Sequence, residues 1–538
     1  MMREALWRAV ACRRFAASVP PVLATFVFLM SGLTTAASRN APRHISLRVL
    51  EDKIRGGWAG QMIGVSYGAP TEFRSNGKIN EAEITWAPER VANSIGQDDL
   101  YVEMTFAEVM DRKGLDATSE DYGEMFKNSK YSLWHANAAA RRLLNNGIKA
   151  PLSGDPRYNA HANDIDFQIE SDFIGLMTPG LPQYANRYAD RVGRVMNYGD
   201  GLYGGMFFAG MYSAAFFEND VRQVVLQGLA CIPAKSRYGR MIRDLLEWHA
   251  KYPNDWRKTW QLIEDKWDKD DVCPDGALEP FNIDASINGA YVVLGLLYGN
   301  RDFGKTVEIA TRAGQDSDCN PSSAGGILGV MSGYERIPDF WKGGIARLAD
   351  TRFEFTNYSF NTICKSTLDR ALKNIRMAGG KAETDEAIIP HQEPKAASLE
   401  QWDPGVPDRR AAWNDHAWNW KGDWTEAKQE GNDPRVVGRT AEGAGAEAEF
   451  SFTGTAVILV GRYSQSGGRA DVYLDGEKAG EINAYIVPRT NDNALWHVYG
   501  LRQGRHTLRI VTRDDADPRS AGKEIAIYSA VTFRARRA

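Results

Sequence analysis

Apolar residues recur at steps of three and four positions through most of the chain before residue 378. In the segment 46–65, Leu50, Ile54, Trp58 and Met62 would share one face of a helix, and that face must be buried. The same spacing returns in "DLYVEMTFAEVMDRKG", "LYGGMFFAGMYSAAFF" and "ASINGAYVVLGLLYG", with few strand-like runs between them. The pattern predicts an all-α domain over residues 44–377.

A different pattern follows residue 377. Between 378 and 410 the periodicity disappears while prolines and charges accumulate, which predicts a linker. Residues 411–538 contain short runs rich in β-branched and aromatic side chains, and Asp475-Gly476 is typical of a hairpin turn. We therefore predict a multidomain chain with a C-terminal all-β sandwich or jelly roll, which is a candidate carbohydrate-binding domain.

Length and composition agree with a globular protein of more than one domain. The chain has 538 residues, more than one hydrophobic core usually serves. Charged residues make up 25% and apolar residues 43%, which is an ordinary balance. The net charge of -4 gives no reason to expect a nucleic-acid partner.

The N-terminus has the order of a secretory signal. Arginines such as Arg13 and Arg14 precede an apolar run over 22–33, and small residues end at Ala37. The apolar run is shorter than the roughly 20 residues of a membrane-spanning helix. We predict a signal peptide over residues 1–37, no stable membrane insertion after its cleavage, and export to the periplasm or the extracellular space.

Four cysteines would remain after cleavage, and none forms a CxxC pair, so no cysteine-based zinc pattern is visible. Disulfides are permitted in an oxidising compartment, and buried free thiols are an equal alternative for cysteines so widely spaced in a large domain. The four are Cys231, Cys273, Cys319 and Cys364.

Two pairs of aspartates lie at predicted helix starts. Asp98 and Asp99 precede an apolar stripe, and Asp316 and Asp318 precede Asn320-Pro321, which predicts an N-cap followed by a proline at the first helical position. Acidic residues favour helix starts through capping and the helix dipole, an effect of roughly 0.3–1 kcal/mol. Capping and metal binding are both open readings of these pairs.

The metal reading follows from ligand type and charge. Without HxH or CxxC patterns nearby, carboxylate oxygens suit hard cations such as Mg²⁺, with Mn²⁺ and Ca²⁺ as the other candidates. Four converging carboxylates need about two divalent ions for neutrality, because like charges in contact cannot all remain ionised. Glycines at 56, 60, 64 and 68 weaken the first helix, so that helix is expected to pack closely along one face.

Four segments together resemble the ADP-ribosylglycohydrolase superfamily, of the dinitrogenase-reductase-activating glycohydrolase type. They are "IRGGWAGQMIGVSYGAPTEF", "GQDDLYVEMTF", "GDGLYGGMFFAGMYSAAF" and "AGQDSDCNPSSAGGILG", and the resemblance spans about residues 46–341. It implies an all-α fold that uses two Mg²⁺ or Mn²⁺ ions to cleave the bond at C1 of a ribosyl group.

The resemblance assigns roles to particular residues. Asp98 and Asp99 match the aspartates of one family motif, and Asp316 and Asp318 match those of another. Glu72 matches a glutamate that acts beside the metals in some members, so it is the catalytic candidate.

Two residues depart from the family pattern. Gln97 and Cys319 stand where the family commonly has metal-binding threonines. A glutamine carbonyl remains an acceptable metal ligand, whereas a thiol is a poor partner for Mg²⁺. Gln97 is therefore kept in the predicted ligand set, and Cys319 is expected to be structural.

Four more residues are candidates for binding substrate. Glu170 and Asp172 lie directly before the apolar run "FIGLM" and could face the metal cleft, although a solvated acidic loop is the alternative. Asn197 and Asp200 lie in a glycine-rich turn that would suit sugar hydroxyls.

These features predict an exported, metal-dependent glycoside hydrolase with a small-molecule or glycan substrate. Export favours a ribosyl-like or arabinosyl-like furanoside over a nucleotide conjugate, and hydrolysis of ADP-ribosyl conjugates is the first alternative. A metal-free glycosidase with two carboxylates is the chemical alternative. A catalytically inactive glycan-binding protein is the third, because Gln97 and Cys319 depart from the ligand pattern and tryptophans in the C-terminal domain could stack on sugars.

Overall fold

The computed structural model describes residues 41–400, 402–429 and 435–536. The predicted signal peptide, residues 1–37, lies outside the described residues. Helices occupy the first part and strands the last, so the predicted all-α domain followed by an all-β domain is confirmed. The α-helices are α1 (Leu47–Gly68), α2 (Asp98–Lys113), α3 (Ser119–Lys127), α4 (His135–Asn145), α5 (Asp166–Ile169), α6 (Asp172–Leu176), α7 (Pro182–Gly193), α8 (Gly199–Ala215), α9 (Val221–Leu229), α10 (Arg237–Lys251), α11 (Trp256–Trp267), α12 (Ala285–Gly299), α13 (Phe303–Arg312), α14 (Cys319–Ser332), α15 (Asp339–Lys342), α16 (Ile345–Leu348) and α17 (Phe360–Met377).

The strands form two large sheets and two small ones. They are β1 (Arg43–Ser46), β2 (Leu133–Trp134), β3 (Lys381–Ala382), β4 (Glu386–Ile389), β5 (Val406–Ala412), β6 (Trp418–Lys421), β7 (Thr425–Lys428), β8 (Val436–Glu442), β9 (Glu447–Gly454), β10 (Ala456–Arg462), β11 (Gly468–Leu474), β12 (Glu477–Asn483), β13 (Thr490–Asn491), β14 (Ala494–Val498), β15 (Gly504–Ala516) and β16 (Glu524–Arg534).

Helices α1 and α14 pack backbone to backbone. A Cβ atom on Gly60 would lie 2.0 Å from the carbonyl oxygen of Gly325, and one on Gly64 would lie 2.0 Å from that of Pro321. Gly56 and Gly68, one turn to either side, face α14 and the turn before it in the same way. The close packing expected from these glycines is therefore confirmed, and it holds the start of α14 against α1.

We expect Gly64→Ala to destabilise the protein by about 1–3 kcal/mol, because the new methyl group would overlap the Pro321 carbonyl and separate the helices. Thermal unfolding would measure the loss. Gly504→Ala is the matched control, since the nearest atom to its Cβ position is the Arg502 carbonyl oxygen at 3.7 Å. Equal melting temperatures for the two variants would contradict the close contact.

The segment predicted as a linker lies against the helical domain. Strand β4 pairs antiparallel with β1, and β3 pairs with β4, which makes a three-stranded sheet at the N-terminal end of α1. Further along, the Ala397 amide donates to the Cys231 carbonyl at 3.0 Å, and the Tyr203 hydroxyl donates to the Ser398 carbonyl at 2.9 Å. The chain therefore reaches the second domain along a fixed path.

The C-terminal domain is a sandwich of antiparallel sheets. One sheet has the order β12-β11-β15-β9-β6, and the other has β14-β10-β16-β8-β7 with β5 also paired to β16. Asp475 and Gly476 both have positive φ, 52° and 90°, between β11 and β12. The predicted hairpin turn is confirmed, since two left-handed residues match the twist of the flanking strands.

The two domains share an apolar and polar interface. Val272 and Ala277 of the helical domain are buried in one cluster with Ile458 and Phe533 of the sandwich. Arg410 donates to the Ala277 carbonyl at 2.9 Å. Strand β13 also pairs in parallel with β2, so backbone hydrogen bonds join the domains directly.

The described residues contain no disulfide. Cys231, Cys273, Cys319 and Cys364 are all free and buried, which answers the open choice between thiols and disulfides. No helix among the described residues has the length and apolar character to cross a bilayer.

Candidate metal centre

The two acidic pairs begin helices, but neither helix has a side-chain capping bond at its N-cap residue. Helix α2 starts at Asp98 after Gln97, which is half-buried and makes no side-chain capping bond. Helix α14 starts at Cys319, so the prediction of Asn320 as its N-cap is wrong. Asp318 occupies the cap position, and its side chain makes no capping hydrogen bond. The capping explanation therefore fails for Asp318.

A strained turn sets the direction of the second pair. Gly314 and Gln315, immediately before Asp316, have φ values of 90° and 53°. The Gln315 amide side chain donates to the Pro280 carbonyl at 3.0 Å and accepts from the Asn282 amide at 2.9 Å, which fixes the turn. A left-handed conformation is costly for a non-glycine residue and is retained where the surroundings impose it.

The carboxylates converge. Ligand atoms of Asp99, Asp318 and Cys319 lie within 4.8 Å of one another, and those of Glu72, Asp316 and Asp318 form a second such group. Asp99, Asp316 and Asp318 are only 1%, 3% and 2% exposed. On each of these three aspartates, Oδ1 is buried without a hydrogen-bond partner. Asp318 belongs to both groups, which is the arrangement expected of a ligand shared by two ions.

The acidic groups of the site outnumber the basic ones, of which His135 acts on Asp98 and Glu72. Burial and the neighbouring Asp318 carboxylate raise the pKa of Asp316 well above its usual range. Burial, Asp318 and Asp98 do the same to the pKa of Asp99, while burial raises the pKa of Asp318 to about 6. Buried carboxylates with free oxygens fit divalent cations, which would supply the missing positive charge.

Cys319 takes the role of a neutral donor. Its Sγ donates to Asp99 Oδ2 at 3.3 Å. Burial and the charge of Asp316 raise the pKa of the Cys319 thiol well above its usual value, so it remains protonated. A protonated thiol is no ligand for Mg²⁺, but it orients the Asp99 carboxylate.

Glu72 lies at the mouth of the acidic site. The residue as a whole is exposed, but its carboxyl group is partly removed from solvent. This desolvation and, to a lesser extent, the negative charges of Asp318 and Asp98 raise the pKa of Glu72 to about 8. A carboxyl group protonated at neutral pH can act as a general acid. The sequence-predicted residues Glu72, Asp98, Asp99, Asp316 and Asp318 are therefore brought together.

A second layer of buried acids lies beside the first. Glu170 has electrostatic contact with Asp98 and Asp99, and its Oε1 accepts from the side chain of Asn137. Asp172 accepts from the Tyr212 hydroxyl at 2.6 Å, and burial raises the pKa of Asp172 to about 8. Each keeps one unpartnered oxygen. Both side chains are buried near the metal centre, so the alternative of a solvated acidic loop is wrong for these two residues.

Asn197 and Asp200 lie outside the acidic centre. The Asn197 amide is engaged by backbone, accepting from Phe167 at 3.0 Å and donating to the Asp164 carbonyl at 2.7 Å. Asp200 accepts from the Tyr238 amide at 2.9 Å and lines a 450 Å³ cavity with Trp402 at the edge of the sandwich. Neither is placed among the acids of the metal centre by any contact in the described structure.

Sequence reasoning missed two residues of this region. Glu103 is completely buried one turn after Asp99, and burial followed by the charge of Asp172 raises its pKa well above the usual range. The spacing of four residues was a usable signal. His135 has electrostatic contact with Glu72 and Asp98, and no sequence pattern connects it to them.

The two acidic helix starts come together within an all-α domain, and their carboxylate oxygens are the ligand type that divalent cations prefer. The sequence profile of the ADP-ribosylglycohydrolase family matches residues 46–372, more than half of the chain, so this chain belongs to that family. The resemblance seen in the sequence is thereby confirmed, and members of the family are metal-dependent hydrolases.

Two solved structures are similar to parts of this chain at low sequence identity. An "ADP-ribosylglycohydrolase-related protein complex" is 16% identical, covers 61% of this chain and 99% of its own, and has a TM-score of 0.40. The CBM36-1 domain of a multidomain xylanase from the hindgut metagenome of Trinervitermes trinervoides is 15% identical, covers 23% of this chain and 94% of its own, and has a TM-score of 0.17.

Two curated proteins of Flavonifractor plautii match short segments. An A type blood N-acetyl-alpha-D-galactosamine deacetylase is 45% identical over 67 residues, 12% of this chain and 8% of the relative. An A type blood alpha-D-galactosamine galactosaminidase is 47% identical over 73 residues, 14% of this chain and 7% of the relative. The matched segments therefore span less than a tenth of either relative.

Proposed function

We propose that this chain is an exported, metal-dependent glycoside hydrolase that cleaves the C1 bond of a ribosyl-like or arabinosyl-like furanoside within a glycan. One observation carries the proposal: Asp99, Asp316 and Asp318 converge as buried carboxylates, each with an unpartnered oxygen. With Asp98 and the Gln97 carbonyl they would hold two Mg²⁺ ions, and Mn²⁺ or Ca²⁺ would accept the same oxygen ligands.

The chemistry divides between the ions and the chain. Bound divalent ions would orient vicinal hydroxyls and lower the pKa of a reacting water. Glu72 would transfer the proton at the glycosidic oxygen, for which its raised pKa and its position at the mouth are suited. Glu170 and Asp172 would favour positive charge at the sugar ring, since both are buried acids near the centre.

Support for a glycan substrate comes from outside the helical domain. The curated relatives are named for action on galactosamine-containing blood-group structures, and the signal-like N-terminus favours export. In the sandwich, the Arg439 guanidinium lies 5.6 Å from the Trp413 ring and 5.4 Å from the Trp420 ring, and both rings are half-buried. A partly exposed indole such as Trp413 can stack on a sugar, whereas the Trp420 ring already stacks on Trp418.

Hydrolysis of ADP-ribosyl conjugates is the second candidate, and family membership favours it. Both substrates present a furanose C1, so the acidic centre would act on either. The substituent at C5 of the ribose distinguishes them, because a conjugate carries a diphosphate there that would have to lie beside the acids of the cleft.

A substrate screen with and without chelator tests the proposal. Purified protein would be assayed on α- and β-pentofuranosides, arabinose-containing oligosaccharides and an ADP-ribosylated peptide. We expect furanoside hydrolysis that EDTA abolishes and excess Mg²⁺ or Mn²⁺ restores.

Each other outcome selects a different function. Activity unchanged by EDTA would favour the metal-free, two-carboxylate glycosidase. Cleavage of the peptide conjugate alone would replace the substrate. Absence of hydrolysis combined with glycan binding would favour the inactive binding protein.

A further inference from the structure

A second cluster of metal-binding side chains lies in the loop between α11 and α12. Ligand atoms of Asp271, Cys273 and Asp284 lie within 4.8 Å of one another, and these residues are 4%, 1% and 1% exposed. The Asp164 carboxylate, which is completely buried, interacts with the Cys273 thiol. None of these residues belongs to the centre described above.

Each of the three carboxylates has one oxygen in use and one without a partner. Asp271 Oδ1 accepts from the Cys273 amide at 2.8 Å, and Asp284 Oδ1 accepts from the Ser286 amide at 2.8 Å. Asp164 Oδ2 pairs with His161 Nδ1 at 2.7 Å. Oδ2 of Asp271, Oδ2 of Asp284 and Oδ1 of Asp164 are buried without a hydrogen-bond partner. Three orphaned oxygens in one place are costly unless a ligand satisfies them.

Ion pairs neutralise two of these carboxylates. Arg237 pairs with Asp284 at 3.2 Å. His161 lies between Asp164 and Asp492, at 2.7 and 3.4 Å, and Asp492 also pairs with Arg142 at 2.6 Å. With His161 protonated, three cations (Arg237, His161 and Arg142) balance three anions (Asp284, Asp164 and Asp492).

Asp271 and Cys273 take part in none of these ion pairs. Besides the Cys273 amide, Asp271 interacts with the Cys273 thiol. Burial raises the pKa of the Cys273 thiol, as it does for Cys319, so Cys273 would become a thiolate only on binding a cation. The thiolate and the Asp271 carboxylate would then carry two negative charges. One divalent cation would neutralise them and would contact the orphaned oxygens.

We propose that Asp271, Cys273 and Asp284, with Asp164 as the fourth donor, bind one structural Zn²⁺-type ion. A set of one sulfur and three oxygen donors suits a borderline cation such as Zn²⁺, and a thiolate disfavours Mg²⁺. The site is independent of the proposed hydrolase function and chemically distinct from the all-oxygen centre.

The position of the site in this loop gives the ion a structural role. The same loop carries Asp275, which pairs with His135 at 3.0 Å and accepts from Asn493 of the sandwich. It also carries Ala277, whose carbonyl accepts from Arg410. An ion at Asp271 and Cys273 holds the loop in the shape that both the sandwich and His135 require.

Cobalt substitution of the full-length protein provides the test. Co²⁺ bound to a thiolate has a near-ultraviolet charge-transfer band that an all-oxygen site lacks. We expect this band in the wild-type protein at one equivalent, its loss in Cys273→Ser, and its retention in Cys319→Ser. Cys319→Ser is the matched control because it removes the thiol at the other centre.

Metal analysis separates the two centres. With Zn²⁺ in excess, Asp271→Asn should bind one equivalent fewer per chain than the wild-type protein, whereas the cobalt–thiolate band should persist in Asp316→Asn. Absence of the band from wild-type protein would overturn the proposal, and that result requires no variant to fold. A band lost in Cys319→Ser and kept in Cys273→Ser would also overturn it, by placing the thiolate at the other centre.

Discussion

Replacing Asp316 with asparagine should lower the hydrolysis rate by about 100-fold or more and weaken Mn²⁺ binding by a similar factor. Asparagine has nearly the same shape as aspartate, so packing at this 3%-exposed position is preserved while one negative charge is removed. The affinity of an acidic centre depends on the number of charged ligands. Titration with Mn²⁺, followed by the signal of the free ion, and initial rates on the best substrate of the screen would measure both effects.

Asp339→Asn is the matched control for this prediction. Asp339 also begins a helix, α15, but its side chain is 95% exposed and pairs only with Lys342 at 3.7 Å. We expect wild-type binding and rates from it. Unchanged Mn²⁺ stoichiometry and affinity in Asp316→Asn would remove Asp316 from the centre and with it the assignment of the α14 pair.

Replacing Asp492 with alanine should destabilise the protein by about 3–5 kcal/mol, because two buried cations would lose their shared partner. Asp492 of the sandwich is fully buried between Arg142 and His161 of the helical domain. Although burial lowers the pKa of His161, the Asp164 and Asp492 carboxylates raise it well above its usual value. Thermal and denaturant unfolding would measure the effect.

An exposed pair in the same domain provides the comparison. Asp515 pairs with Arg513 at 2.7 Å, and its side chain is 46% exposed, so Asp515→Ala should cost less than about 1 kcal/mol. Combining Asp492→Leu with Arg142→Met should recover part of the loss, since a buried pair can be replaced by apolar groups of similar size. Equal unfolding midpoints for Asp492→Ala and Asp515→Ala would show that the buried pair does not hold the domains together.

The acidic centre was largely predictable because its parts are local in sequence. Each aspartate pair lies next to a helix start, where carboxylates in excess of capping are visible in the sequence alone. The glycines of α1 also indicated close packing, and α14 is the helix they contact. What the sequence did not decide was the exact start of α14, since Asp318 and Asn320 are both acceptable cap residues.

The contacts of polar residues with partners far away in the sequence were not predictable. Asn197 and Glu170 are both polar residues beside turns, yet one is consumed by backbone hydrogen bonds and the other keeps a free oxygen. His135 reaches the centre from a separate helix, and Asp275 and Asn493, which are hydrogen-bonded to each other, come from different domains. No periodicity or motif connects His135 to the aspartates of the centre, or Asp275 to Asn493.

The sequence by itself determined the helical and β classes of the two domains, the two acidic pairs and the family. Those properties depend on periodicity and on short motifs, which are local in the chain. Only the tertiary structure decided that the sandwich binds the helical domain through Asp492 and Arg410. It also decided which of the acidic side chains lie together in the metal centre. These depend on burial and on pairs distant in sequence, because a carboxylate acquires its charge partners only when the chain folds around it.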